Sequence, residues 1–387
     1  MIALTGATLV VDDALVDDHA LVIRDGRIDA IVAANDVPVA AEVHDLTGST
    51  IVPGLIDVHV HGGGGHSFDD PDPAAHQQVL DFHARHGVTT LQASLVSAHP
   101  ADLDRQLDAL ALSVSANPGL YGVHLEGPYL AVSQCGAHDP AALRPPTADD
   151  ADRLVARGGL ITMVTVAPEL PGVPAFTRRL TEAGVVVAAG HSEARAPELS
   201  AAVDNGLTHL THLWSCQSSL VREGPWRVPG LIEESLASTY LIGEIIADGH
   251  HLPPTLIEIA RRCLGDRLIA VSDATAGAGM PEGFRYRLGI IDCEVASGVG
   301  MVVGANAFGG STTPLDGMLA HLHHDLGWPL PEAVAATSTR PARVLNLAHR
   351  KGRLTAGHDA DLAVLTSALT VQATMRAGHW IHRAAAH

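Results

Sequence analysis

Lysine is nearly absent from this 387-residue chain: Lys351 is the single one. Arginine carries almost all the remaining positive charge, and the formal net charge is −19. No basic stripe is present for a phosphate backbone to follow, so nucleic acid is excluded as the natural partner. A small anionic substrate is still allowed, because the local field of a pocket can oppose the net charge. Cysteine is scarce as well. Cys135, Cys216, Cys263 and Cys293 lack CxxC spacing, which argues against a disulfide framework or a zinc ribbon. Aromatic residues make up 3% of the chain against 47% hydrophobic ones, so Ala, Val, Leu and Ile must fill the core. No apolar run approaches the roughly 18 residues of a membrane span, and no basic segment followed by an apolar stretch opens the sequence. The expected setting is soluble and cytoplasmic, with no membrane partner.

Histidine and glycine, by contrast, are plentiful, at 24 and 38 residues. They meet in "GLIDVHVHGGGGH" (54–66). Side chains alternate along a strand, so His59 and His61 share one face and can grip one metal ion. The four glycines do not make a phosphate loop, since no Gly-Lys-Ser/Thr follows. Their expected role is to let the backbone pass close to a buried ion or substrate. His76, His83 and His86, and the "HLHH" at 321–324, fall on predicted helices and read as structural.

Both ends of the chain are rich in short strands. "RDGR" (24–27) has Asp-Gly at a hairpin turn, and "GRLTAGHDADLAVLT" and "VQATMRAGHWIHR" near the other end read the same way. One small β domain built from residues 1–52 and 350–387 is expected. Between them, 53–349 alternates strand and helix. "DPAAHQQVLDFHARHG" predicts a helix capped by Asp72, with Pro73 in the first turn, Ala75, Val79 and Phe82 on the apolar face, and Gly87 at its end. Strands are expected at 54–60, 88–95, 120–126, 160–167, 185–190, 207–213, 242–248 and 268–273. Eight such units mean an α/β fold of the (β/α)8 TIM-like barrel type, whose active site lies at the C-terminal ends of the strands.

The acidic and histidine residues fall at those ends. Strand 1 finishes with His59 and His61, strand 3 with Glu126, strand 5 with His191, strand 6 with His212 and strand 8 with Asp273. Singly, each has a plain alternative: His191 as a helix cap, His209 in place of His212, Asp273 as an N-cap. Together at one rim they form a nitrogen and oxygen donor set suited to Zn²⁺, Fe²⁺ or Mn²⁺.

The motifs "PGLIDVHVHG" (53–62), "HLEGPYL" (124–130), "GAH" (136–138), "AGHS" (189–192), "THLW" (211–214), "ADGHH" (247–251), "VSDATAGAG" (271–279) and "AGHDADLAVL" (356–365) span nearly the whole chain. With them, the sequence resembles the N-acetylglucosamine-6-phosphate deacetylase family of the amidohydrolase superfamily. The resemblance implies that the terminal domain is a β-sandwich and that the chain forms a homodimer. It also implies one or two divalent metal ions, Zn²⁺ first and Fe²⁺ or Mn²⁺ as alternatives. Superfamily members that bridge two metals with a carbamylated barrel lysine are excluded, because no barrel strand here has a lysine; the resemblance implies that Glu126 takes the bridging or main-ligand role instead. Asp273 is implied as general base and then general acid, as well as a ligand. His138, from the GxH motif, is implied to polarise the acyl carbonyl and hold the sugar.

The implied substrate is an N-acetyl amino sugar, foremost N-acetylglucosamine 6-phosphate. The match departs from the family in "WSCQ", which puts Ser215 and Cys216 where an Asn-Ala pair contacts phosphate, and in Cys135, which replaces a lysine. It is kept at Arg227 of "RVPGL", implied to reach the phosphate of a neighbouring subunit, and at His251. Three alternatives remain open at this level. They are an unphosphorylated or otherwise decorated amino sugar, an N-acyl-amino acid held by Arg227, and a non-catalytic barrel, which would be expected to have lost its ligands.

Overall fold

A computed structural model describes residues 1–384. The chain divides into two compact units, one made of Met1–Val58, Leu80–Leu91 and the chain from Pro314 onward, the other of His59–Val79 and Gln92–Thr313. The division falls inside two barrel strands, so the expected boundaries at 52/53 and 349/350 stay a proposal. Residues 385–387 of the expected terminal domain lie outside the described ones.

Eight strands hydrogen-bond in chain order: β1 (Leu55–Val60), β2 (Val88–Val96), β3 (Leu120–Glu126), β4 (Ile161–Val166), β5 (Val186–Ala189), β6 (His209–Leu210), β7 (Ile242–Ile246) and β8 (Leu268–Val271). A parallel bridge from Val60 to Ala274, just past β8, nearly closes the barrel. Strands buried on both faces read as continuous apolar runs rather than alternating ones; every residue of β1 and β2 is buried. The helix after β1 runs Pro73–Arg85, and Asp72 accepts the Ala74 amide at 2.9 Å, as the capping signal predicts.

Two expectations change. The strand predicted over 207–213 is regular only at His209–Leu210. Beyond it the amides of His212 and Leu213 go to the side chain and carbonyl of Glu244 instead of a regular ladder. The segment after β8 is not directly helical: an antiparallel sheet of Arg285–Leu288, Ile291–Ala296 and Val299–Val302 precedes the helix Leu315–Ala320. The "HLHH" stretch then continues that helix as a wider π-type turn, His321–Asp325.

The terminal strands form two sheets. One has the order Arg27–Ala33, His19–Arg24, Ile2–Thr5, Glu42–Asp45; the other has His379–Arg383, Val371–Arg376, Leu362–Leu365, Thr50–Pro53, Thr8–Val11, Ala14–Val16. Leu4, Leu21 and Ile28 of the first sheet share a core with Leu9, Ile51 and Leu362 of the second, which is sandwich packing. The predicted hairpin is present, with Asp25 and Gly26 at φ 50° and 78°, the left-handed pair that a two-residue turn needs. In the same unit Lys351 is buried against Asp361, with Asp359 at 3.5 Å.

Candidate metal centre

The six expected ligands meet at the C-terminal rim. His59 ends on the inward face of β1, and His61 follows it one pleat on. The amide of Asp273 donates to the His59 carbonyl and that of His61 to the Ala274 carbonyl, joining the two strand ends. His191, His212 and Asp273 all sit at positive φ, 48°, 20° and 47°. Such backbone is costly for non-glycine residues and collects at functional sites. Neither alternative role is adopted: the helix after β5 begins at Ala196, and no helix begins at Asp273. His209 stays apart, its Nδ1 against Thr208 Oγ1 and its Nε2 without a partner among the described residues.

The cluster has two halves that meet at Glu126. Glu126 Oε2 lies 3.2 Å from His61 Nε2 and 3.6 Å from His59 Nε2, and Asp273 Oδ1 lies 3.2 and 3.5 Å from the same two nitrogens. Glu126 Oε1 faces the other half, 3.0 Å from His191 Nε2 and 2.7 Å from His212 Nε2. The opposite nitrogen of each ring decides what these atoms can do. His61 Nδ1 donates to the Ser94 carbonyl at 3.1 Å, His191 Nδ1 to the Gln134 carbonyl at 2.8 Å, and His59 Nδ1 to the Glu244 carboxylate at 3.1 Å. Their Nε2 lone pairs therefore face one another, at 3.2 Å for His59 and His61, and face carboxylate oxygens. Acceptors converge on acceptors there, an arrangement that needs protons or a cation between them.

The electrostatics agree. Burial opposes charging His61, but its hydrogen bonds to Asp273 and Glu126 outweigh that and push it up to about 9. Burial likewise opposes charging His191, and hydrogen bonds to Cys216 and Glu126 push it up to about 10. Asp273 is held down to about 2: burial works the other way, and is overcome by its bond with His61 and the charges of His59 and His61. Without a cation, His61 and His191 thus hold a proton more readily than free imidazole does.

His138 differs from the ligands. The Ser97 amide donates to His138 Nδ1 at 3.2 Å, so Nδ1 is an acceptor and the proton sits on Nε2, 3.5 Å from Glu126 Oε2. Burial pushes His138 down to about 4, keeping the ring neutral. It offers an N–H to the site rather than a lone pair. A third grouping, Glu126 with His138 and His191, therefore lacks the donor set for a cation.

The cluster opens into a cavity of about 310 Å³ lined also by Ser215, Cys216, His251, Trp214 and Phe308. Gln217 shapes the "WSCQ" turn, its amide reaching the Thr211 carbonyl at 2.5 Å and accepting the Trp214 amide at 3.1 Å. His251 is fixed by Asp248 at 2.7 Å and packs on the Phe308 ring. Arg227 is elsewhere, exposed on the hairpin Val221–Glu223/Trp226–Val228 and bonded to the Pro225 carbonyl. Gly62, the residue after His61, passes close to other backbone: a Cβ there would lie 2.3 Å from the His66 carbonyl oxygen and 2.9 Å from the Ala276 nitrogen.

Sequence reasoning missed Glu244, Trp214 and Phe308. Only Glu244 left a signal, an acid inside the apolar strand "IGEII". Below the ligands runs a chain of Ser94, His124, Thr165 and Thr211, bonded at 2.9, 2.8 and 2.7 Å, with the His59 ring edge-on to His124.

Four imidazoles and two carboxylates, with acceptors on the far ring nitrogens of His59, His61 and His191, suit a divalent cation. Residues 50–381 match the Amidohydrolase family and residues 1–51 the NagA composite domain. The chain is 35% identical to an N-acetylglucosamine-6-phosphate deacetylase of Bos taurus, over 89% of this chain and 86% of that one. It is 31% identical to an N-acetylgalactosamine-6-phosphate deacetylase of Escherichia coli O157:H7, over 94% and 95%. A solved structure of an N-acetyl-D-glucosamine-6-phosphate deacetylase variant from Mycobacterium smegmatis, in complex with N-acetyl-D-glucosamine-6-phosphate, superposes with a TM-score of 0.91 at 37% identity, covering 98% of this chain and 99% of that one. With residues 50–381 matched by the family and most of its length shared with these relatives, this chain belongs to the amidohydrolase family.

Proposed function

We propose that this chain removes the acetyl group from an N-acetyl amino sugar, foremost N-acetylglucosamine 6-phosphate, giving the amino sugar phosphate and acetate. The observation that carries this reading is the convergence of imidazole lone pairs on both oxygens of Glu126, beside a cavity into which His138 presents an N–H. The names of the relatives point the same way. Two zinc ions would suit this donor set, with His59, His61, Asp273 and Glu126 able to hold one and Glu126, His191 and His212 the other. Three carboxylates (Glu126, Asp273 and Glu244) are buried there, so one divalent ion would leave a net negative site and two a slightly positive one. Four free cysteines fit a reducing compartment, and we place the reaction in the cytoplasm.

A divalent cation held there supplies Lewis-acid chemistry and makes water a nucleophile at neutral pH. Asp273 takes the proton of the attacking water and returns it to the nitrogen as the C–N bond breaks. His138 donates its Nε2 proton as a hydrogen bond to the acyl oxygen while negative charge builds there. Ser215 and Cys216 border the sugar, and His251 together with Arg227 of a second copy holds the phosphate, which makes the working form a homodimer.

One observation favours a second reading, an unphosphorylated or otherwise modified N-acetyl amino sugar: among the described residues no arginine or lysine lines the cavity. Acetate release by zinc-reconstituted protein separates the two. The substrates are N-acetylglucosamine 6-phosphate, its galactosamine counterpart and unphosphorylated N-acetylglucosamine. Strong preference for a phosphate ester supports the first reading, preference for the free sugar the second. Release from none of them sinks both.

A further inference from the structure

We infer that Glu244 is a positioning residue that holds a ligand from each half of the metal centre in its working orientation. This rests on the metal-centre reading and not on the substrate. Glu244 lies on β7, fully buried. Its Oε2 accepts from His59 Nδ1 at 3.1 Å and from the His212 backbone amide at 3.2 Å, while its carbonyl accepts the Leu213 amide at 2.8 Å. One side chain therefore fixes the ring of His59, a ligand of one half, and the strained backbone of His212, a ligand of the other.

A purely structural role, filling the gap where β6 stops short, does not call for a carboxylate. Any acceptor would satisfy the His212 amide, and Glu244 Oε1 is left buried without a hydrogen-bond partner among the described residues. Burying a charge with an unsatisfied oxygen is expensive unless something nearby compensates it. His59 is the compensation on the page: a carboxylate on Nδ1 fixes the tautomer and makes Nε2 a stronger donor to a cation. Glu244 touches no reacting atom and acts through His59 and His212.

The test uses the full chain, stripped of metal and titrated with Zn²⁺ against a chromophoric chelator. Glu244→Gln keeps an acceptor but loses the charge; Glu244→Met loses both. The expected result is a fall in zinc affinity of about 10-fold for the first and about 100-fold for the second, with the melting temperature of metal-free Glu244→Gln close to wild type. Affinity of Glu244→Gln within twofold of wild type overturns the inference. Should neither variant fold, the zinc-loaded wild type decides through long-range ¹H–¹⁵N spectra: a proton on His59 Nδ1 supports the inference and an Nε2–H tautomer overturns it. A wild-type chain that binds no zinc fails the metal-centre reading itself, a separate outcome that needs no substrate.

Discussion

In this site the second nitrogen of each imidazole decides its task. His59, His61 and His191 spend Nδ1–H on an acceptor and aim a lone pair inward, whereas His138 spends its Nδ1 lone pair on an amide and aims a proton inward. Replacing His138 by Ala should therefore leave zinc content unchanged and lower kcat by about 10²–10³, the scale of one lost oxyanion donor; metal analysis beside turnover checks both halves. Asp273→Asn should keep the fold and most of the metal but lose about 10²–10⁴ in turnover, as expected of a removed proton carrier. Activity within a few-fold of wild type would rule out that role. His61 and His191 have raised values in the metal-free fold, so the folded chain holds protons there that the unfolded chain releases near pH 6.5. Their contribution is complete below that pH, declines above it and is gone past about 10. Melting of the metal-free protein should show this loss between pH 7 and 10. Zinc binding at pH 7 should release protons, measurable as a buffer-dependent heat.

At the scale of elements, the site depends on how strands end. His191, His212 and Asp273 leave their strands through left-handed backbone, and the Gly62–Gly63/His66–Ser67 hairpin turns the chain sharply after His61. Gly62→Ala would press a methyl group into the His66 carbonyl and the Ala276 nitrogen, both backbone and unable to rotate away. We expect a loss of about 1–3 kcal/mol by urea denaturation, together with weaker zinc binding because His61 is the preceding residue. These strand ends also mark the limit of what the sequence revealed. The meeting of the six expected ligands was legible because side-chain alternation and the barrel rim depend only on local pattern. The shortness of β6 was not, since the leucines of "LTHLTHL" recur at every third position and mark no strand end, and the break lies against Glu244, more than thirty residues away. Nor was the role of Gly62, which avoids backbone that only the fold brings near.

At the scale of the whole molecule, the eightfold alternation and the strand-rich termini were readable because a barrel and a sandwich repeat simple periods. The antiparallel insertion before Leu315 interrupts that rhythm and was missed for the same reason. Arg227 belongs to this scale too. If a second copy supplies it, Arg227→Ala mixed with Asp273→Asn should recover part of the activity in hybrid dimers; no recovery would mean that it does not act across an interface. Lys351 offers a test of the terminal unit. Lys351→Met would strand Asp361 without its buried cation, while Asp359 keeps Arg350 at 2.6 Å, and losing one partner of such a buried pair costs about 3–5 kcal/mol, visible as a lower urea midpoint. The same buried ammonium has a practical side. Apart from its α-amino group the protein offers solvent no primary amine, so amine-reactive dyes should hardly label it. The amine that a deacetylation liberates could be followed with such a dye, continuously and with the enzyme itself almost dark.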